Sequence, residues 1–441
     1  MIPLDIAFIG HKVSNTSLNC KVELAKCAVF LLFLMVENSP PFWMTNRIRY
    51  DILKKIPTFA DMKKKLYIFN PENDMALASG SPYYMAPASA KKMAADLATL
   101  PAWYAEAGSR VLLADVRQLE WMAKGCQFAL PVQGVTEMSG DGFEVMPWGW
   151  SPALLHRMAD AFHVPIDMES VRRLSGRRTA VDLLPKLRME NTVGESFWLT
   201  SVREMDEFVS GYNKVLLKAP WSGSGKGIQP LSGQPDDNLK GWARRIIASQ
   251  GGVVCEPYYN KVEDFAMEFL SSADGGVKFA GYSLFEADVR GIYKENWLAS
   301  DEAIEKRLSG YVSREVLLEI RRRIEAELSL LIGGVYQGYL GVDMMVCRVD
   351  EGYAVHPCVE VNLRMNMGVV ARLFFDRYMC PDVCGRYVIE YYPRRGDALL
   401  FHEEMKCKHP LCLQDGKIKE GYLSLTPVFE DTAYQIYVTA E

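Results

Sequence analysis

The chain has 441 residues, 49% of them hydrophobic and 24% charged, which is enough apolar material for two or three domains with cores of their own. A formal net charge of -5, with no basic stripe along any helix, excludes the electrostatic footprint of a nucleic-acid-binding protein. Its ten cysteines include no CxxC pair, which argues against a disulfide framework or a common structural zinc site and makes the cytosol the natural compartment.

Residues 1–61 read as an extension outside the fold. The apolar run from Leu24 to Val36 is interrupted by Lys26 and is shorter than the roughly 20 residues a membrane helix needs. It also lacks the cleavage site of a secretory signal, so no membrane partner is expected. The folded protein is expected to begin at Met62-Lys63-Lys64-Lys65. From Leu66 the order is strand, Pro71-Glu72-Asn73-Asp74 turn, helix from Ala88, and a second buried strand at Val111. Strands alternating with helices predict a Rossmann-like parallel sheet over residues 62–170. Ligands of such sheets bind at the carboxyl ends of strands, which makes Asn73 a substrate-side candidate. An Asx turn or helix cap is the other reading of Asn73 and Asp74.

Ser201, with Glu204 three residues on, has the pattern of a capping box at a helix start. A strand, Val215-Leu216-Leu217-Lys218, then runs into Ala219-Pro220-Trp221-Ser222-Gly223-Ser224-Gly225-Lys226-Gly227. Alternating glycines let a backbone fold closely over an anion, and Lys218 and Lys226 add positive charge. Lys226 is followed by Gly227 and not by a helix, so this is no Walker-A loop, and a flexible turn between two strands is the bland alternative. Asp237 to Gln250 reads as an amphipathic helix and Gly252 to Tyr259 as a strand leaving into a linker. Strands resume at Asp264.

Gly341 to Val346 is a strand bearing Asp343, and Val359-Glu360-Val361-Asn362 is another. Residues i and i+2 of a strand share a face, so Glu360 and Asn362 can converge on one hard cation that Asp343 completes. Oxygen donors without histidine select Mg2+, or Mn2+. Arg364 follows on the same spacing and suits a transferring phosphoryl group or a carboxylate. Strands at Gly421–Val428 and Tyr434–Thr439 are expected to close the sheet. The cluster of His402, Cys407, His409 and Cys412 matches no common metal spacing.

Taken in order, Lys218, the glycine-rich loop, Glu256, Asp343 and Glu360-Val361-Asn362-Leu363-Arg364 resemble the ATP-grasp superfamily over roughly residues 170–370. The resemblance implies an α/β fold with α+β grasp lobes: a small lobe over 171–262 and a large lobe with the metal site over 263–441. It implies that Lys218 and the Ser222–Gly227 loop (Ser222, Gly223, Ser224, Gly225, Lys226, Gly227) hold ATP phosphates. Glu256 and Tyr258 would belong to the linker that reads adenine, and Asp264, or its neighbour Glu263, would hold the ribose. Arg177 would replace a second phosphate-contacting lysine, with Arg178 competing for the position. Asp343, Glu360 and Asn362 would hold Mg2+, with Arg364 at the γ-phosphate or acyl phosphate. Leu363 stands where the superfamily often has proline.

The activity implied is an ATP-dependent ligase joining a carboxylate to an amine, or a thiol, through an acyl phosphate. Lys218 and Arg364 would be catalytic, and Arg290, Lys294 and Asn296 would be candidates on the substrate side. A kinase on the same scaffold and a non-catalytic nucleotide-binding regulator are the alternatives. The partners expected are small-molecule carboxylates and amines.

Overall fold

The computed structural model describes residues 64–138, 142–222, 227–287 and 293–441. The chain divides into two units, residues 1–63 and 64–441, and all that follows concerns the second. The expected extension at 1–61 therefore lies outside the described residues, as do Gly223, Ser224, Gly225, Lys226 and Arg290.

Four strands, β1 (Lys64–Ile68), β2 (Arg110–Leu112), β3 (Gln133–Val135) and β4 (Phe143–Pro147), form an all-parallel sheet in the order β3-β2-β1-β4. β1 buries both faces. Leu66 and Ile68 pack with Val145 and Leu154, while Tyr67 and Phe69 pack with Leu97 and Trp103. Such burial is what an apolar strand inside a parallel sheet requires. Two helices, α1 (Asn73–Ser79) and α2 (Ala88–Asp96), follow β1. A 3-10 turn at Leu100–Trp103, with Pro101 in it, follows α2. Further on lie α3 (Val116–Glu120) and α4 (Pro152–Met158), the latter capped by the Ser151 hydroxyl, which accepts from the Leu154 N–H at 3.3 Å.

After α5 (Met168–Leu174) and α6 (Arg178–Leu187) comes a small antiparallel sheet. Its strands are β5 (Phe197–Leu199), β6 (Lys214–Lys218), β7 (Ile228–Ser232) and β8 (Val253–Pro257), in the order β5-β8-β6-β7. The helices α7 (Val202–Ser210) and α8 (Asp237–Gln250) cover one face. Val215, Leu217, Val253 and Cys255 pack with Met205, Val209 and Ala243 on that side. Alternation then sends Lys218 and Glu256 to the opposite face. The capping box forms with a variation: Ser201 accepts from the Glu204 N–H, while Glu204 reaches back one residue further, to the Thr200 N–H at 2.7 Å.

The remaining strands make one nine-stranded antiparallel sheet. They are β9 (Lys261–Ser271), β10 (Val277–Ala287), β11 (Tyr293–Leu298), β12 (Gly338–Val349), β13 (Gly352–Asn362), β14 (Gly385–Tyr391), β15 (Cys412–Gln414), β16 (Lys417–Ser424) and β17 (Tyr434–Ala440). Their order is β13-β12-β9-β10-β11-β14-β17-β16-β15. The strand expected to run to Val428 stops at Ser424, whose hydroxyl donates to the Thr426 carbonyl and turns the chain. Phe265, Met267 and Phe269 of β9 pack with α6 and the long helix α10 (Arg314–Ile332), which follows α9 (Asp301–Leu308). Asp264, Ala266 and Glu268 therefore face the other way. Helix α11 (Met367–Tyr378) carries Val369, Phe374 and Phe375 into one core with Phe69 and Trp103, locking the parallel sheet to the large one. Helix α12 (Asp397–Lys408) lies near the chain end. These three sheets occupy residues 64–147, 197–257 and 261–440.

Candidate active site

The site lies in a narrow cleft lined by α1, the foot of the glycine-rich loop and the end of β13. Ser222 and Trp221 form one wall, and Glu360, Asn362 and Arg364 the other. The loop's first foot is fixed: the Trp221 N–H donates to Gln250 Oε1 at 2.9 Å and its indole N–H to the Arg172 carbonyl at 3.0 Å. At the other foot, the Ala219 N–H donates to the Gly227 carbonyl. A Cβ on residue 227 would come within 2.4 Å of the Ser222 side chain, so glycine is required there by close approach.

Three charged residues read from the sequence are buried in or beside the strands that carry the loop. Lys218 and Glu256 form a buried ion pair at 2.5 Å, and Ser196 donates to the second carboxylate oxygen at 3.0 Å. Arg177, 5% exposed, spans the cleft. It donates to the Ala219 carbonyl at 2.6 Å, to Ser222 Oγ at 2.7 Å and to Glu360 Oε2 at 2.9 Å. One guanidinium thus ties the loop to the carboxylate side. The competing Arg178 points away, pairing with Asp182 on an exposed face.

Asp343 and Glu360 are directly opposed on β12 and β13, and Gly341 is opposed to Asn362. Asn362 donates from its amide nitrogen to Asp343 Oδ2 at 3.0 Å. Burial, and then the Glu360 charge, push the Asp343 carboxyl up to about 7. Two directly opposed carboxylates at the edge of a cleft are what a divalent cation would relieve, so the oxygen donors present fit Mg2+. Among the described residues no group of three His, Cys, Asp or Glu side chains could hold a metal, so the His402 cluster is not one. His402 instead meets the Tyr422 hydroxyl at 2.9 Å.

Arg364 is held more tightly than the sequence suggested. Asp74, at the start of α1, accepts two parallel hydrogen bonds from it at 2.8 and 2.7 Å, and Asn362 Oδ1 accepts a third at 3.1 Å. The fork is fixed by one group from helix α1 and one from strand β13.

The other expected residues are distributed as follows. Asp264 is on the site face of β9 and pairs with Lys261, whereas Glu263 faces the opposite side and pairs with Arg307 at 3.0 Å. Tyr258 is exposed, with the Lys214 ammonium 3.4 Å from its ring centre. Asn73 lines the cleft, but its amide nitrogen, turned toward the 149–150 loop, donates to the Gly149 and Trp150 carbonyls at 3.0 and 2.9 Å. Asn296 is buried, donating to Ser283 Oγ at 2.6 Å and accepting from the Tyr293 hydroxyl at 2.5 Å. The amide groups of both asparagines are thus spent on internal ties. Lys294 is exposed on β11.

Glu268 and His356 were missed. Glu268 lies on β9 opposite Gly341 and accepts from Asn366 at 2.8 Å. Burial, with a contribution from the Asp343 charge, pushes its carboxyl up to about 8. Its signal was available, since it continues the alternate spacing Asp264, Ala266, Glu268 on the site face. His356 is fully buried on β13, and burial pulls its imidazole down to about 4.

No family model matches the chain, and no curated protein matches it. Solved structures do. The chain is similar to N5-carboxyaminoimidazole synthetase from Staphylococcus aureus complexed with ADP, at 12% identity over 88% of this chain and 96% of that one, with a TM-score of 0.45. It is also similar to the biotin carboxylase–β,γ-ATP complex from Campylobacter jejuni, at 12% identity over 86% and 87%, with a TM-score of 0.46. A third likeness is to N5-carboxyaminoimidazole synthase from Aspergillus clavatus with ADP and 5-aminoimidazole ribonucleotide, at 12% identity over 86% and 94%, with a TM-score of 0.45.

Proposed function

We propose that the chain is an ATP-dependent ligase of the ATP-grasp type, joining a small carboxylate to an amine through an acyl phosphate. One observation carries the reading: Arg177 bonds Ser222 of the glycine-rich loop and Glu360 of the metal pair at once, with the buried Lys218–Glu256 pair on the neighbouring strands. Ser222, at the foot of the glycine-rich loop, and Glu360 thereby face one cleft.

In this reading Lys218, Arg177 and the loop hold the phosphates, Glu256 and Tyr258 line the base, and Asp264 meets the ribose. Asp343, Glu360 and Asn362 would hold Mg2+, which neutralises phosphate charge when bound. Arg364, oriented by Asp74, faces the transferred phosphoryl group. Such chemistry rests on positioning and charge stabilisation, so no nucleophilic side chain is needed. Arg290 and Lys294 remain the candidates for contact on the substrate side, whereas Asn73 and Asn296, tied to Gly149, Trp150, Ser283 and Tyr293, would serve it only by holding the surrounding structure. Among the described residues no helix is long and apolar enough to cross a membrane, and a cytosolic location is part of the proposal.

The test is ADP release with Mg2+ against pooled small carboxylates and amino acids, with and without an amine or thiol acceptor. ADP formation that requires both a carboxylate and an acceptor supports ligation. Phosphate appearing on a hydroxyl would establish a kinase, and tight MgATP binding without turnover on any pool would establish a regulator.

A further inference from the structure

Three cationic side chains of the proposed site differ in what answers their charge. Lys218 is paired with Glu256, and Arg364 with Asp74, neither of them a residue read as a metal ligand. Arg177 is different. Its Nη2 donates to Glu360 Oε2 at 2.9 Å, so this arginine is bonded to one of the two opposed carboxylates themselves. Its Nη1 donates to the Ala219 carbonyl and to Ser222 Oγ at the foot of the glycine-rich loop. Its Nε, buried with the rest of the side chain, has no hydrogen-bond partner among the described residues.

A guanidinium buried to this depth is costly without an anion, and Glu360 is the anion it has. A divalent cation calls on the same carboxylate. It would share Glu360 with a positive charge 2.9 Å from one carboxylate oxygen, on a side of the site where the arginine is screened little by water. A polyphosphate reverses the balance. It supplies negative charge to both cations, and the idle Nε gives Arg177 a further donor to offer a phosphate oxygen.

We propose that Arg177 competes with the divalent cation for Glu360, so that metal is taken up together with the nucleotide and not ahead of it. The guanidinium keeps the carboxylate until phosphates draw it away, and Glu360 then passes to the metal. Metal and nucleotide are thereby coupled, each tightening the other by the same factor. The inference rests on the nucleotide reading above and adds an order of loading to it.

The experiment titrates the whole chain with Mn2+ alone, with ADP alone, and with Mn2+ at saturating ADP. It is read from the paramagnetic resonance of free Mn2+ and from calorimetry, in the parent, R177M, R177K and the double variant R177M/E360Q. The parent should hold Mn2+ about tenfold more tightly with ADP than without it. R177M should bind Mn2+ alone about tenfold more tightly than the parent, because the competing charge is gone, while binding ADP more weakly. R177K, which keeps a positive charge, should stay near the parent for Mn2+ alone, and R177M/E360Q should lose the gain. Should R177M fail to fold, R177Q repeats the measurement with a neutral polar side chain. A neutral variant with no gain for Mn2+ alone, an equal gain in R177K, or a gain that survives E360Q would overturn the proposal. A parent that binds Mn2+ equally well with and without ADP overturns it whatever the variants do. A parent that binds no ADP, with or without Mn2+, defeats the nucleotide reading itself, and does so before any variant is compared.

Discussion

The ion pair of Lys218 with Glu256 is buried on both sides and depends on the pairing of β6 with β8. Removing the lysine alone, as in Lys218→Met, leaves Glu256 buried and unpaired. We expect a loss of about 3–5 kcal/mol in urea unfolding, with Glu256→Gln in addition recovering a large part. Asp343 and Glu268 make a prediction in pH. Both carboxyls titrate higher in the fold, at about 7 and about 8, than in the unfolded chain. At acid pH both states hold these protons. As pH rises from about 4 to 8 the unfolded chain releases them first, so stability should fall across that window. E268Q should flatten the decline by an amount on the order of 2 kcal/mol, read from denaturation at pH 5 and pH 8.

At the scale of elements, periodicity served well wherever one face of an element was buried. The helix Asp237–Gln250 and the strands bearing Asp343 and Glu360 fall where the alternation of apolar and polar residues places them. Alternate spacing puts Glu268 on the site face, but it gives no sign of which groups close around the carboxylate. Its niche is made by two glycines on other elements. A Cβ on Gly341 would lie 2.4 Å from one Glu268 oxygen, and a Cβ on Gly368 would lie 2.2 Å from the other. Gly368→Ala should therefore cost about 1–3 kcal/mol by overpacking, and combining it with Glu268→Ala should cost less than the sum of the two changes. Thermal melts of the three variants decide this.

The whole molecule is where sequence reading was weakest, because the decisive contacts join distant segments. Arg364 and Asp74 are 290 positions apart, and nothing local to either announces the other. What brings them together is the core shared by α11 and the parallel sheet, with the Met365 N–H donating to the Trp148 carbonyl at 2.9 Å. Asp74→Ala should leave the fold nearly as stable, since the pair is partly exposed, with Arg364 18% and Asp74 29% accessible. It should lower kcat by roughly 10- to 100-fold by freeing the guanidinium. Steady-state kinetics beside a melting curve would separate the two effects. An equal loss in D74N and D74A would point to charge, and a milder loss in D74N to geometry.

Backbone bonds tie the 191–193 segment to β13, from the Val193 N–H to the Val355 carbonyl at 2.8 Å and from the Val355 N–H to the Asn191 carbonyl at 3.0 Å. Among the described strands of its sheet β13 pairs only with β12, so its outer row of N–H and C=O groups could recruit a strand from another chain. Two features blunt that row. Pro357 removes one donor at the irregularity in register between Asp343 and Met345, and the Asn191–Val193 segment bonds Val355 on both its N–H and its carbonyl. Asn191 reaches this position at φ +63°, a conformation asparagine tolerates better than most residues. With Val355 covered in this way the edge keeps fewer free groups, and a chain lacking the segment is expected to aggregate at concentrations where the parent stays dispersed.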